Sequence, residues 1–129
     1  MAGLLHEELT DQLIGIYYDV YNELGYGFLE SVYEEAMEIA LEQEGLQVGR
    51  QVPLEVWFRS KQIGEFRADL IVEDLVILEM KACRTLGPTH EAQVLNYLRA
   101  TNLEVGILLN FGPKPQFKRL VFQNTRKKQ

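Results

Sequence analysis

Apolar residues recur every three or four positions through residues 9–43, a spacing that predicts two amphipathic helices. The apolar stripe of the first helix consists of Leu9, Leu13, Ile16, Val20 and Leu24. Thr10 is a candidate N-cap near its start, and Gly25 is expected to end it. The second helix is predicted over residues 29–43, with an apolar stripe on one face and acidic side chains looking outward. The predicted stripe is Val32, Ala36, Ile39 and Ala40, and the predicted outward acids are Glu34, Glu35, Glu38 and Glu42.

After Gly45 the pattern changes to short apolar runs typical of β-strands. Strands are predicted over residues 47–52, 54–58, 62–72, 75–82 and 105–111, with an edge strand over 117–122. A helix over residues 90–100, capped by Thr89, lies between the fourth and fifth of these strands. This order of elements predicts an α/β fold of the mixed α+β kind, a central mixed sheet flanked by helices.

The length and composition bound the possibilities further. A chain of 129 residues with 47% apolar residues is expected to form a single domain, with its core over about residues 9–122 and a basic C-terminal tail over 123–129. No apolar run approaches the roughly 20 residues that span a bilayer, and the N-terminal residues do not have the pattern of a signal peptide. The single cysteine, Cys83, excludes an internal disulfide framework, so we expect a cytoplasmic protein.

The charges are distributed unevenly around a formal net charge of −6. Residues 1–44 contain 11 of the 19 acidic residues and no lysine or arginine, whereas no acid follows Glu104. The net negative charge argues against nonspecific binding to polyanions, while the basic second part leaves room for a surface that holds phosphates. Solvated acidic helix faces and a soluble basic tail explain the same distribution equally well.

An apolar strand over residues 77–82 contains two charged residues at alternate positions. Because side chains alternate along a strand, Glu79 and Lys81 point to the same face. Asp69 lies on the preceding strand, and a three-residue loop over 73–75 would set Asp69 opposite Glu79. A two-residue turn would instead send Asp69 to the other face of the sheet.

These three charges allow two interpretations, because burying them costs free energy unless an interaction offsets it. In the first, Asp69, Lys81 and Glu79 form an ion network with a structural role alone. In the second, the two carboxylates form a hard, oxygen-rich site for Mg²⁺ or Mn²⁺, and Lys81 stabilises a developing anion. The spacing alone favours neither interpretation, since Glu-x-Lys is a short and frequent pattern.

Five short motifs in a fixed order give the chain a resemblance to a known family. They are Gly27–Tyr33 (G-x-x-E-x-x-Y), Phe66–Val72, Leu78–Ala82, Gln93–Leu98 and Leu108–Gly112. Asp69 followed by Glu79-x-Lys81 is similar to the D…(D/E)-x-K signature of the PD-(D/E)XK nuclease superfamily. The whole set, spanning about residues 9–122, resembles the small GxxExxY proteins, a branch of that superfamily. One departure is Ala68, which stands where the superfamily signature has a proline before the aspartate.

The resemblance implies a restriction-endonuclease-like core in which a helix glutamate, here Glu30, joins the two strand acids. It implies that Asp69, Glu79 and Glu30 bind Mg²⁺ or Mn²⁺, and that Lys81 and Gln93 complete the catalytic set. The three carboxylates are then expected to converge within about 4–6 Å of a common point. The implied activity is metal-dependent hydrolysis of phosphodiester bonds in DNA or, alternatively, RNA.

A second function stays open, in which the chain is a catalytically silent nuclease-fold protein that binds or interacts with a partner, as a homodimer. Its acidic N-terminal part, its small size and its predicted edge strand are compatible with such pairing. A structure with Asp69 and Glu79 on opposite faces would favour this alternative over the nuclease.

Overall fold

A computed structural model describes residues 4–127 of the chain. Within that range, the helices are α1 (Glu7–Leu24), α2 (Glu30–Gln43) and α3 (Pro88–Arg99). The strands are β1 (Val48–Phe58), β2 (Lys61–Val72), β3 (Val76–Lys81), β4 (Val105–Phe111) and β5 (Pro115–Val121), and a short 3₁₀ turn over Asn124–Arg126 follows the last strand. No helix within residues 4–127 is long and apolar enough to cross a membrane.

The five strands form one mixed sheet in which spatial order follows chain order. β3 and β4 are parallel and are connected through α3, whereas the other neighbouring strands are antiparallel. Leu13 of α1 and Met37 of α2 share a core with Leu78, and Val94 of α3 shares a second core with Ile77. Because adjacent residues of β3 point to opposite faces, α1 and α2 cover one face and α3 the other. The predicted mixed α/β architecture is confirmed.

The buried face of α2 is rotated relative to the predicted one. Val32 and Ile39, expected to pack inward, are 39% and 51% exposed, while Glu34, expected to point outward, is only 6% exposed. The fully buried apolar positions of this helix are Tyr33, Met37 and Leu41. These larger side chains remove more apolar area from water than a stripe containing two alanines, and they bring Glu34 inward with them.

Two predicted helix caps are wrong. Thr10 lies inside α1, where its hydroxyl donates to the carbonyl of Glu7 at 3.1 Å, because the helix begins three residues earlier. At α3, the N-cap position belongs to Gly87 rather than Thr89. Pro88 starts this helix, since its fixed φ suits the first helical position and its missing N–H would have no partner there.

β1 is one continuous strand, although two separate strands were predicted on either side of Pro53. Proline is tolerated because β1 is an edge strand, where one side of the backbone needs no ladder partner. The irregularity lies instead at Gln51, which has a left-handed φ of 51°. Gln51 and Asp69 consequently drop out of the β1–β2 ladder, while the pairs before and after them remain. The predicted edge position of the last strand, β5, is confirmed.

A stacked pair of rings connects α2 to the sheet. The rings of Tyr33 and Phe111 lie 4.1 Å apart with planes 13° from parallel. The Tyr33 hydroxyl donates to the carbonyl of Gly25 at 2.7 Å, and Gly25, with a φ of 67°, ends α1 as predicted. Tyr33 is therefore a packing residue, and these contacts fix the first turn of α2, which begins at Glu30.

Candidate metal centre

The β2–β3 hairpin brings Asp69 and Glu79 to the same place. Val72 pairs with Val76 across a three-residue loop, so the predicted odd-length loop is confirmed. The ladder between β2 and β3 stops at Leu70, one residue short of Asp69. β2 continues beyond that point, paired with β1 alone. The sheet therefore divides at Asp69 and Glu79, and we call this position the fork.

At the fork, reciprocal bonds between side chains and backbone take the place of the ladder. The backbone N–H of Asp69 donates to Oε2 of Glu79 at 2.7 Å. In return, the backbone N–H of Met80 donates to Oδ2 of Asp69 at 2.9 Å. Each carboxylate is thus held by one oxygen, in charge-assisted bonds of the stronger kind. The second oxygens, Oδ1 of Asp69 and Oε1 of Glu79, are not used by these bonds.

Lys81 is held by a glutamine of α3. Its Nζ donates to Oε1 of Gln93 at 2.9 Å. In the part of the chain that the structure describes, Lys81 forms no ion pair within 4.0 Å of Asp69 or Glu79. The ammonium is therefore positioned beside the carboxylates by a neutral partner, and the closed ion network of the first interpretation is not formed.

Burial and mutual repulsion dominate the electrostatics of the fork. Glu79 is 3% exposed. Burial, and then the neighbouring Asp69 charge, raises the pKa of Glu79 to about 8, although Lys81 acts in the opposite direction. The pKa of Asp69 is also raised, first by burial and then by the charges of Glu34 and Glu30, against the Met80 N–H bond and Lys81. Two negative charges at this position therefore need a cation nearby to be stable.

The influence of the fork reaches Tyr97, one helical turn after Gln93 on α3. Burial, and then the charges of Glu79 and Asp69, raises the pKa of the Tyr97 hydroxyl, while its hydrogen bond with Gln93 lowers it. Gln93 and Tyr97 are four residues apart on α3, a spacing that puts them on the same side of the helix.

Glu34 of α2 also belongs to the surroundings of the fork, and the sequence did not indicate this. The side-chain amide of Gln51 donates to Oε1 of Glu34 at 2.7 Å and reaches Oδ1 of Asp69 at 3.5 Å. Arg50 pairs with the same Glu34 oxygen at 3.2 Å. Glu30 lies one turn before Glu34 and is exposed, yet its charge is felt by Asp69. The i, i+4 spacing of the two glutamates is the signal that could have found Glu34.

The donor set at the fork fits a divalent cation. Mg²⁺ and Mn²⁺ prefer carboxylate oxygens, and Mg²⁺ is commonly held by one or two carboxylates with water completing its shell. Oε1 of Glu79 accepts no hydrogen bond within residues 4–127, and Oδ1 of Asp69 has only the long 3.5 Å contact with the Gln51 amide. The raised pKa values of both carboxyls fall when a cation approaches. Among residues 4–127, no group of three or more His, Cys, Asp or Glu side chains is gathered closely enough to hold a metal ion. The structure thus brings two predicted ligands together, and Glu30 stays a predicted third ligand.

The loop after Lys81 is fixed by a buried asparagine. Asn110 of β4 is fully buried and accepts from the Cys83 N–H at 3.0 Å while donating to the Cys83 carbonyl at 2.8 Å. Gly112 passes so close that a Cβ there would lie 2.0 Å from the Cys83 carbonyl oxygen. Because Lys81 pairs with Asn110 across β3 and β4, the same contacts hold the strand end that carries the lysine.

Comparisons with known proteins agree with this geometry. Residues 7–120 match a family model described as the PD-(D/E)XK nuclease superfamily. The crystal structure of SSO0001 is similar in fold, with a TM-score of 0.58 and 21% sequence identity over 72% of this chain. The matched region covers 50% of the SSO0001 chain, so this chain spans about half the length of that protein. No curated protein matches the chain. Since the family model covers most of its length, the chain belongs to the PD-(D/E)XK nuclease superfamily.

Proposed function

We propose that this chain is a metal-dependent nuclease that hydrolyses phosphodiester bonds in DNA, with RNA as the alternative substrate. The observation that carries the proposal is the fork, where backbone N–H groups hold Asp69 and Glu79 by one oxygen each and Gln93 holds Lys81. Nucleases of this superfamily typically use divalent metals, and the donor chemistry fits Mg²⁺ or Mn²⁺. When bound, such a cation polarises the phosphoryl group and lowers the pKa of a coordinated water.

The residues of the chain then have distinct roles. Asp69 and Glu79 bind the cation, and the backbone N–H groups of Asp69 and Met80 keep the two carboxylates in fixed orientations. Lys81 stabilises the negative charge that develops as water attacks phosphorus and the bond to the leaving oxygen breaks. Gln93 orients the Lys81 ammonium through the 2.9 Å bond. A preorganised donor of this kind needs no reorganisation during the reaction, which is why its position affects the rate.

We further assign the chain to the GxxExxY branch, in which Glu30 is the third acidic ligand. Support comes from the place of Glu30 in the first turn of α2, from which its charge raises the pKa of Asp69. Glu34, bridged to Asp69 by the Gln51 amide, orients that carboxylate from the same helix. Isothermal titration with Mn²⁺ tests this ligand set. Glu30→Gln should weaken binding, whereas Glu35→Gln, on the exposed side of α2, should leave it unchanged.

The test of activity is incubation of the purified protein with single- and double-stranded DNA and RNA in the presence of Mg²⁺ or Mn²⁺. Cleavage is expected with at least one substrate, and chelation with EDTA should abolish it. Lys81→Met removes the charge of the lysine and should lower the rate of cleavage by a factor on the order of 100 or more. This is the range found when one electrostatic donor is removed.

Two variants separate true activity from contamination. Glu79→Gln keeps the size of the side chain and an oxygen acceptor for the Asp69 N–H, so it should fold while losing metal binding. Cleavage that persists in both Glu79→Gln and Lys81→Met preparations would come from a contaminating enzyme. Absence of cleavage together with absence of metal binding in calorimetry would exclude the nuclease.

The alternative, a catalytically silent homodimer, has one structural observation in its favour. A shallow apolar groove runs between α1 and α2, and two of its lining residues, Leu24 and Ile39, are 37% and 51% exposed. A second copy packed there would cover these side chains. Light scattering of the parent and of Ile39→Glu measures this directly, since a dimer through the groove would dissociate in the variant.

Two further expectations belong to the proposal. We place the protein in the cytoplasm, because Cys83 is a free cysteine and a reducing compartment would keep it so. We also treat residues 1–129 as one domain with its core over 9–122, which limited proteolysis tests by the size of the resistant fragment.

A further inference from the structure

Beyond the fork, β1 and β2 leave the sheet as a two-stranded arm that we define as residues 53–67. The two strands pair along this whole length, with a register shift near Val56. β3 does not pair with the arm, because the last β2–β3 pair is Leu70 with Leu78. From Arg67 to Lys61 the arm rises over six residue steps, which corresponds to at most about 20 Å at roughly 3.3 Å per residue. The proposed nuclease mechanism does not use this projection.

The tip of the arm presents large apolar side chains to solvent. Trp57, Phe58 and Ile63 are 59%, 56% and 65% exposed, and they lie within seven consecutive residues. Single exposed apolar residues are ordinary, but three of them at the end of a projecting hairpin are typical of an interaction surface. Because Trp57 and Phe58 are adjacent on β1, their rings lie on opposite faces of the hairpin. The partner must therefore accept flat aromatic rings.

The same tip is positively charged. Arg59 and Lys61 lie between and beside the aromatic residues, and residues 57–63 contain no acid. The Arg59 guanidinium lies 4.9 Å from the centre of the Phe58 ring. Arg59 and Ser60 form the turn with left-handed φ values of 49° and 66°, a conformation for which Asn and Gly are preferred. The turn conformation does not favour an arginine at position 59. The positive charge of Arg59 therefore points to a role in binding rather than in forming the turn.

The root of the arm contacts α3 beside the fork. Phe66 lies 5.6 Å from the ring of Tyr97, the α3 residue whose hydroxyl responds to the charges at the fork. Residue 69, three positions further along the same strand, is the metal-ligand candidate Asp69. A ligand held along the arm would therefore be directed toward the fork by the strand that supplies one of its carboxylates.

We propose that the arm binds single-stranded nucleic acid, with unpaired bases stacked on Trp57 and Phe58 and phosphates held by Arg59 and Lys61. This inference deepens the proposed nuclease function and rests on it. Two cations at the tip neutralise too few phosphates to hold a duplex by charge, whereas each base stacked on an aromatic side chain strengthens binding by about 5- to 150-fold. A second copy of the chain fits less well, because pairing two tips would bring four positive charges together.

Trp57 is the only tryptophan of the chain, so its fluorescence reports on the tip directly. The experiment titrates the Glu79→Gln protein, in EDTA, with unlabelled DNA oligonucleotides of 4 to about 20 nucleotides and with a duplex of the same sequence. Single strands should quench the emission, and the duplex should quench it much less. Affinity should rise with the length of the single strand until it spans the arm and should then level off.

Substitutions at the tip give the matched comparison. Phe58→Ala should weaken single-strand binding by about 5- to 150-fold, from the loss of one stacking partner. Arg59→Ala should weaken it less and should reduce its dependence on salt. Ile39→Ala, which removes a similarly exposed apolar side chain from α2, should bind as the parent does. Circular dichroism confirms that each variant is folded before it is compared.

The outcomes separate the two proposals. Quenching by single strands without any cleavage in Mg²⁺ by the parent protein supports the arm and overturns the nuclease. Cleavage by the parent without quenching, or with equal activity in Phe58→Ala, overturns the arm and leaves the nuclease intact. Emission that changes with protein concentration alone would identify a second copy as the occupant and overturn the nucleic-acid assignment.

Discussion

The charge buried at Glu79 should make the stability of the metal-free protein fall as the pH rises. The pKa of Glu79 is raised from an ordinary value of 4.5 to about 8, so the folded state binds a proton that the unfolded chain has already released. The contribution of this group is fully present below about pH 4.5 and is lost as the pH rises through about 8. The neighbouring Asp69 shifts in the same direction, while Lys81 partly compensates both.

The size of the effect follows from linkage. Each pH unit between the two pKa values changes the free energy of unfolding by about 1.4 kcal/mol, which sets an upper limit of almost 5 kcal/mol across this interval. Because the protein around an ionised carboxylate relaxes and lets water in, we expect the free energy of unfolding to fall by about 2–4 kcal/mol. For a chain of this length, 1 kcal/mol corresponds to roughly 4 °C, so the melting temperature should fall by about 8–16 °C.

Glu79→Gln isolates this contribution. The variant keeps an oxygen acceptor for the Asp69 N–H but cannot ionise, so in EDTA it should be more stable than the parent at pH 9 and similar to it at pH 5. Mg²⁺ at pH 9 should raise the melting temperature of the parent and leave that of the variant nearly unchanged. Glu35→Gln, at an exposed position of α2, is the control. A parent–variant difference that is the same at pH 5 and pH 9 would refute the reasoning.

Three further predictions concern the residues that hold the centre in place, and urea unfolding measures each of them. Asn110→Ala should lower the free energy of unfolding by about 2–4 kcal/mol, since it leaves the half-buried N–H and carbonyl of Cys83 without their partner; a loss below 0.5 kcal/mol would contradict this. Gly106→Ala places a Cβ 2.5 Å from Cγ1 of Val94 and should cost about 1–3 kcal/mol, most of which the second change Val94→Ala should restore if the clash is the cause. Tyr33→Phe should cost about 1 kcal/mol by removing the bond to the Gly25 carbonyl, while Tyr33→Leu should cost more because the stack on Phe111 is lost as well.

The hairpin was predictable from the sequence because its constraints are local. Loop length alone decides whether Asp69 and Glu79 share a face, and the strand period of two then sets Lys81 beside them. The order of helices and strands followed from periodicity in the same way, and it gave the correct fold class. Each of these features depends on residues that are close in the chain.

The misassigned features depend on contacts between distant segments. The rotation of α2 is set by Tyr33 stacking on Phe111, almost 80 positions later, and no helical stripe reveals it. Gln51 reaches Glu34 and Asp69 only because β1 adopts a left-handed residue inside a strand. The part played by Asn110 also escaped prediction, since an asparagine in an apolar strand gives no sign of the loop that it will hold.

The register shift between Val56 and Trp57 divides the arm into two parts with different evolutionary freedom. Between the shift and the fork, the number of residues in β2 is constrained, because sliding the strand by one position would turn Asp69 away from Glu79. On the side of the tip, the shift absorbs a change in length, so insertions or replacements there leave the register at the fork intact. Homologous chains should therefore vary in the length and composition of residues 57–63 while keeping residues 67–72 fixed in number. The same boundary is the place at which a different tip could be grafted to redirect binding without disturbing the centre.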